Sequence, residues 1–207
     1  MTIASKFFFL DFETSGLNQN TCDIIEIAMR TNEGVTFNRL VQPKSNQLIS
    51  DRIREITNIT NDMLHRLGVP WHQAYKEFYE WFLRQLQPGG VNIIVAQNGF
   101  GFDFPILKRL FEEMKNELHL DVSEIDLYRI TFHDTLLIAK RHLNHISSHK
   151  QEALCRYYKI NDKGAHRAIN DVKALAKLYN HLKEGVQEED PSLDLSNPYA
   201  LNKYQRI

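Results

Sequence analysis

Residues 7–17 read FFFLDFETSGL, and this stretch decides how the rest of the chain is read. The run from Phe7 to Leu10 is apolar and mostly aromatic, as in a strand buried on both faces. It delivers Asp11 and Glu13 two residues apart, and on a strand such a pair projects from the same face. Two carboxylates held that close repel, and one would ordinarily stay protonated. A divalent cation between them removes the conflict, and hard oxygen ligands suit Mg²⁺ or Mn²⁺. The competing reading is an edge strand with two solvated acids, and the aromatic run argues against an edge.

The whole chain sets bounds around that strand. Its 207 residues are enough for one domain with a substantial core. With 43% hydrophobic and 25% charged residues the composition excludes a disordered chain. The net charge of −1 carries no global nucleic-acid signal. Between Lys140 and Lys183, however, ten Lys/Arg face three Asp/Glu, a patch that either tracks phosphates or is a solvated helical face. Cys22 and Cys155 form no CxxC, which disfavours a disulfide framework or a cysteine zinc site. The opening residues do not read as a signal peptide, and no stretch approaches the roughly 18 apolar residues of a membrane helix. The expectation is a soluble intracellular protein, cytoplasmic or nuclear, not secreted and without membrane partners.

Taken in order, strands are expected over 6–12, 23–30 and 34–42, joined as antiparallel hairpins. Two short helical pieces between Ser50 and Leu64 part near Asn58. Pro70 opens a long amphipathic helix carrying Trp71, Ala74, Phe78, Trp81, Phe82 and Leu86, which Pro88, Gly89 and Gly90 end. Val91 to Ala96 is a buried strand, 97–102 a glycine-bearing loop, and Asp103 starts a helix with Pro105 in its first turn. A strand near 128–132, helices over about 134–143 and 148–158, and a last helix from about Arg167 to Lys183 complete an α/β domain with a mixed sheet. Residues 1–184 are read as that domain. From Gly185 the tail to 207 is expected to be extended or partly disordered.

Asp103 stands past the carboxyl end of a strand, where α/β sheets gather ligands, although a helix cap is an equally ordinary role for it. The loop Gln97, Asn98, Gly99, Phe100, Gly101 and Phe102 suits a tight backbone near a ligand. A third group is His166, Arg167, Ala168, Ile169, Asn170 and Asp171. There Asp171 falls near the start of the last helix, and His166 sits at a loop–helix junction. A histidine beside carboxylates can exchange protons near neutral pH, and an ordinary surface histidine is the alternative. His142, His145 and His149, at i, i+3 and i+7, define a weaker zinc reading on one helix face.

Asp11 to Leu17, then Ala96 to Asp103, then His166 to Asp171 resemble, in order, the three exonuclease motifs of the DEDDh 3′–5′ exonucleases (DnaQ-like), nearest in motif to the three-prime repair exonucleases. Residues 53–60 and His133 to Leu136 resemble intervening segments of the family. The resemblance covers nearly the whole chain and implies a ribonuclease H-like mixed sheet of about five strands flanked by helices. It departs at Gln97, where many relatives have His, and at Asn58, where a Gly is common and where Asn tolerates the same left-handed backbone.

The resemblance implies a 3′–5′ exonuclease, a phosphodiester hydrolase working on nucleic acid with single-stranded DNA 3′ ends favoured. Asp11, Glu13, Asp103 and Asp171 would hold two Mg²⁺ ions, with Mn²⁺ able to substitute, and His166 would take the proton of the attacking water. Leu17 would wedge against the terminal base with Ile56 or Ile59 opposite, while Thr14, Ser15 and Asn98 could meet the 3′-hydroxyl or backbone. Lys140, Arg141, Arg156, Lys163 and Arg167 could guide the strand. A homodimer is known among relatives. The alternatives are an RNA 3′-end exonuclease of the same fold and a non-catalytic module that grips a nucleic-acid end.

Overall fold

The structure, a computed structural model, describes residues 4–126, 128–161 and 167–205. Its centre is β1 (Ser5–Thr14), flanked by β2 (Ile24–Thr31), which is antiparallel to it, and by β5 (Val91–Ala96), which is parallel. Beyond β2 lie β3 (Thr36–Gln42) and the two-residue β4 (Val69–Pro70); beyond β5 lies β6 (Arg129–Asp134). The order β4-β3-β2-β1-β5-β6 makes a six-stranded mixed sheet, the expected architecture with one strand more. The extra strand is β4, where the chain pairs with Val41 and Gln42 just before its long helix begins.

Alternation along β1 divides two cores. Phe8, Leu10 and Phe12 face α3 (Trp71–Gln85) and α4 (Asp103–Asn116), where Phe8 meets Phe82 edge-on at 5.3 Å and Phe78 stacks on Phe82 at 5.9 Å. Phe9 faces α6 (Thr135–His142), α7 (Gln151–Tyr157) and α8 (Ala168–Glu189). Both cores rest on the apolar stripes that the helical spacing predicts. A third, smaller cluster holds α1 (Asp51–Thr57) and α2 (Asn61–Leu67) against Ile25. Asn58 separates those helices in the left-handed conformation, φ 55°, as its stand-in role for glycine requires. A short α5 (Ser123–Asp126) precedes β6.

The C-terminal segment departs from expectation. Helix α8 does not stop near Lys183 but runs through Gly185 to Glu189, with Leu182 and Val186 buried. Gly185 is a place of close approach, not a stop signal: a Cβ there would collide with Nε2 of His142. After it the chain packs back, burying Leu201 in a 3₁₀ turn (Ala200–Tyr204). The Gln205 amide then accepts from the Asp134 N–H and donates to the Phe132 carbonyl, pairing with the outer edge of β6 as a strand would. Among the described residues no helix is long and apolar enough to cross a membrane.

Candidate active site

The site forms because β1 outruns its parallel neighbour. Pairing with β5 ends at Phe9 opposite Val95, so the last residues of β1 project past the carboxyl end of β5 with β2 alone beside them. The Phe12 N–H, left without a strand partner on that side, donates to Oδ1 of Asp103 at 3.1 Å. Asp103 is therefore not the cap of α4, whose N-cap position is Phe102. Its buried carboxyl is turned across to β1. Asp11 and Glu13 share the opposite side of β1 with Phe9, and the first turn of α8 brings Asp171 to them. One carboxylate oxygen from each of Asp11, Glu13 and Asp171 lies within 4.8 Å of the others. Asp103 stands beside this triad, outside that radius. His166 and Lys163 lie outside the described residues.

Asp11, Glu13 and Asp103 are held against their ionisation. Burial, followed by the charges of Asp103, Glu13, Asp171 and Glu26, pushes the Asp11 carboxyl well above the usual range. Glu13 is pushed up to about 8, by burial first and then by Asp171, Glu26 and Asp103, with Arg167 pulling the other way. Asp103 is raised to about 8 because burial outweighs the hydrogen bond from Phe12. Clustered carboxylates in a desolvated notch, all hard oxygen donors, fit a divalent metal cation.

One member of the neighbourhood was not singled out in the sequence. Glu26, fully buried on β2, is the register partner of Glu13. Arg167 reaches it with both arms of the guanidinium, Nε to Oε2 at 3.2 Å and a terminal nitrogen to Oε1 at 3.0 Å. The Ala168 N–H also donates to Oε2, at 3.1 Å, so a carboxylate from β2 caps α8, which has no side-chain cap of its own. The signal was present: an acid inside Ile24, Ile25, Glu26, Ile27 and Ala28 is almost never buried unless paired.

The expected substrate contacts separate. Leu17 is 74% exposed and Ile56 43% exposed, while Ile59 is fully buried with Ile25, Ile49, Ile53 and Leu64. Ile59 thus belongs to a core cluster, a correction to its expected place against a base. Ile56 is the exposed member of the pair. The Thr14 hydroxyl donates to the Gly16 carbonyl at 2.6 Å and the Ser15 hydroxyl accepts from the Asp23 N–H at 2.9 Å, so both shape the turn after β1. Asn98 is exposed with φ 59°, its N–H held by Asp134 at 3.0 Å. Asp134 also accepts from Phe100 and from Leu136, fastening the loop to the start of α6. Gln97, the departure from His, accepts from the Thr135 hydroxyl and donates to the His149 carbonyl.

The zinc reading fails on helix length. Helix α6 ends at His142, so the three histidines do not share its face. His142 pairs with Glu189, the His149 ring meets the Leu143 carbonyl and the His145 ring lies against Tyr157. In the basic stretch, Arg167 is engaged by Glu26, and Arg141 donates to the Lys203 carbonyl and stacks over Tyr204. Lys140 and Lys150 line a 530 Å³ cavity with Asn98 and Gln151, and Gln151 donates to Asp171 at 3.3 Å. A second cavity, of 610 Å³, is lined by Arg30, Lys173, Lys177 and Lys183.

This geometry can be set beside known proteins. The exonuclease family model RNase_T matches residues 8–179. The chain belongs to the exonuclease family. The family match runs from β1 into α8 and so contains all four acids. Among curated relatives, Exonuclease DPD1, chloroplastic/mitochondrial, from Arabidopsis thaliana is 32% identical over 185 residues, covering 83% of this chain and 54% of that protein. A DNA polymerase III of the PolC type from Ureaplasma parvum is 28% identical over 192 residues, covering 88% of this chain and 12% of the polymerase. This exonuclease-family chain thus spans about half of the first relative and a small part of the second. E. coli Exonuclease I in complex with a dT13 oligonucleotide superposes with a TM-score of 0.75 at 19% identity, over 97% of this chain and 46% of that one. The zinc-bound form of an E. coli Exonuclease I–single-stranded DNA complex gives 0.71 at 20%, over 90% and 41%. At those identities the likeness establishes the fold, which is the ribonuclease H-like one expected.

Proposed function

We propose that this chain is a metal-dependent 3′–5′ exonuclease that removes nucleotides from single-stranded 3′ ends, DNA in preference to RNA. The observation that carries this reading is the meeting of Asp11, Glu13 and Asp171 at the projecting end of β1, with Asp103 hydrogen-bonded beside them. Family membership supports hydrolysis of a phosphodiester, and the solved neighbours that hold oligonucleotides favour single-stranded DNA. The four acids would hold two Mg²⁺ or Mn²⁺ ions, which when bound supply charge stabilisation at the phosphoryl oxygens and a more acidic water. His166 would accept the proton of the attacking water, which requires a neutral imidazole, so the rate rises with pH through its ionisation. Leu17, standing clear of the surface, would stack on the terminal base with Ile56 opposite. An intracellular compartment, where both nucleic-acid ends and Mg²⁺ are found, is the setting this reading implies.

The test is a time course with 5′-labelled single strands, one DNA and one RNA of the same sequence, in Mg²⁺ and in EDTA. A metal-dependent ladder shortening from the 3′ end, faster on DNA, is the expected result. Binding of either strand without cleavage would overturn the reading in favour of an end-binding module, and faster loss of RNA would reassign the substrate.

A further inference from the structure

Four acids were expected at this site, and the structure adds a fifth that does not point into the notch. Glu26 is fully buried, stands opposite Glu13 in the β1–β2 register and turns its carboxylate to the start of α8. A lone carboxylate there would be strongly disfavoured by desolvation and would add to the repulsion already felt by Glu13. Arg167 meets both oxygens, the bidentate geometry in which a guanidinium is most directional, and the Ala168 N–H completes the set. The residues joined are telling. Arg167 is the N-cap position of α8, and its carbonyl accepts from the Asn170 and Asp171 N–H groups at 2.8 and 3.1 Å. Asp171 is thus bonded through its own backbone to the residue that Glu26 grips. The residue before Arg167 is His166.

We propose that Glu26 and Arg167 are a positioning pair, locking the first turn of α8 onto β2 so that Asp171 is held at carboxylate distance from Asp11 and Glu13. Neither residue is a member of the acid cluster, and each side chain is engaged by the other. Their work is to fix, from a strand, a ligand that arrives on a helix from the far end of the sequence. The pair also sets the charge of the notch. Five carboxylates and one guanidinium leave, when ionised, the four negative charges that two divalent cations balance. The inference rests on the proposed metal site, and its test is arranged so that the two fail separately.

The variants are Arg167→Met, the double Glu26→Met with Arg167→Met, and Arg167→Lys. The double variant replaces the ion pair by apolar side chains, a change that buried pairs tolerate in stability. The first readout needs no metal: amide hydrogen exchange of the first turn of α8 relative to residues 175–186 of the same helix. Faster exchange confined to the first turn is expected in all three variants, including Arg167→Lys, because an ammonium cannot span both oxygens. The second is calorimetric Mn²⁺ affinity at a temperature where each variant is folded, expected to fall about 10–100-fold as for other outer-shell partners. In turnover the loss should fall on kcat more than on KM. First-turn exchange equal to the wild type overturns the proposal. So does a lowered Tm accompanied by wild-type Mn²⁺ affinity and kcat, since a merely structural pair would behave that way. A wild-type protein that binds no Mn²⁺ sinks the nuclease reading instead, and leaves the exchange result to decide the pair.

Discussion

The two faces of β1 present opposite solutions to being buried. Phe8, Leu10 and Phe12 look onto α3 and α4, in a cluster of apolar side chains whose aromatic rings interlock. Phe7, Phe9, Asp11 and Glu13 look towards α8, and along this one face the strand passes from aromatic to acidic within seven residues. The first face gains stability from burial, roughly 25 cal/mol for each Å² of apolar area removed from water. The second gives stability up by collecting like charges in a desolvated notch. A repulsive cluster can be held because the same backbone is clamped on its other side: the proposed site sits on a strand whose reverse is core.

The contrast can be broken most forcefully at the acids. Asp11→Asn or Asp171→Asn should remove about 10³-fold or more of the cleavage rate, several kcal/mol of transition-state stabilisation, while the metal-free Tm stays level or rises. A metal-free Tm lowered by several degrees would show that these acids stabilise the fold after all. His166→Ala should cost on the order of 10²–10⁴-fold in kcat and keep Mn²⁺ affinity, as measured by calorimetry. Unchanged turnover would remove His166 from the proposed chemistry. On the other face, Phe82→Ala should cost about 3–5 kcal/mol in denaturant unfolding and leave metal affinity alone, because its contacts are with Phe8, Phe78 and Phe111.

A gentler perturbation is pH. Unfolded, these carboxyls ionise near pH 4, whereas Glu13 and Asp103 in the folded chain do so at about 8. Between those values the folded state holds more protons than the unfolded one, so metal-free stability falls as pH rises from about 4 to about 8. Calorimetric scans should show Tm dropping by a few degrees across that window, with Mn²⁺ restoring more at pH 8 than at pH 5. A flat profile would mean the cluster is not held against ionisation. The smallest effect is expected at the cationic cavity beside α8. Lys173→Ala with Lys177→Ala should lower the slope of log affinity against log salt for single-stranded DNA by up to about 0.7 per lysine. An unchanged slope would mark that stripe as a solvated face.

Much of this was legible in the sequence, for physical reasons that differ by region. The odd–even pattern of β1 and the i+2 spacing of Asp11 and Glu13 depend on local backbone geometry alone, and both hold. Asn58 and Asn98 occupy the left-handed positions that their residue type allows. What escaped depends on partners distant in sequence. Glu26 reads as one acid among isoleucines until Arg167, 141 residues away, is folded onto it. Ile59 looked available because exposure is not a property of local sequence. Gly185 and the prolines beyond it resembled a helix end and a loose tail, yet the glycine is small to admit the His142 ring, and the amphipathic stripe continues past it. For Asp103 the sequence left a helix cap open beside a place among the acids, and the early end of β5 shows why its carboxyl turns to β1 and does not cap α4.

Gln205 closes the sheet in an economical way. An outer strand displays donors and acceptors on which another polypeptide can crystallise a ladder, and proteins guard against this with charge, proline or cover. Here one primary amide, held out by a 3₁₀ turn, satisfies the Phe132 carbonyl and the Asp134 N–H together. The final residues of the described chain thus act as a hydrogen-bonded stopper at the β6 rim. Gln205→Ala would leave that rim open to intermolecular strand addition, a route to self-association unconnected with the acidic notch.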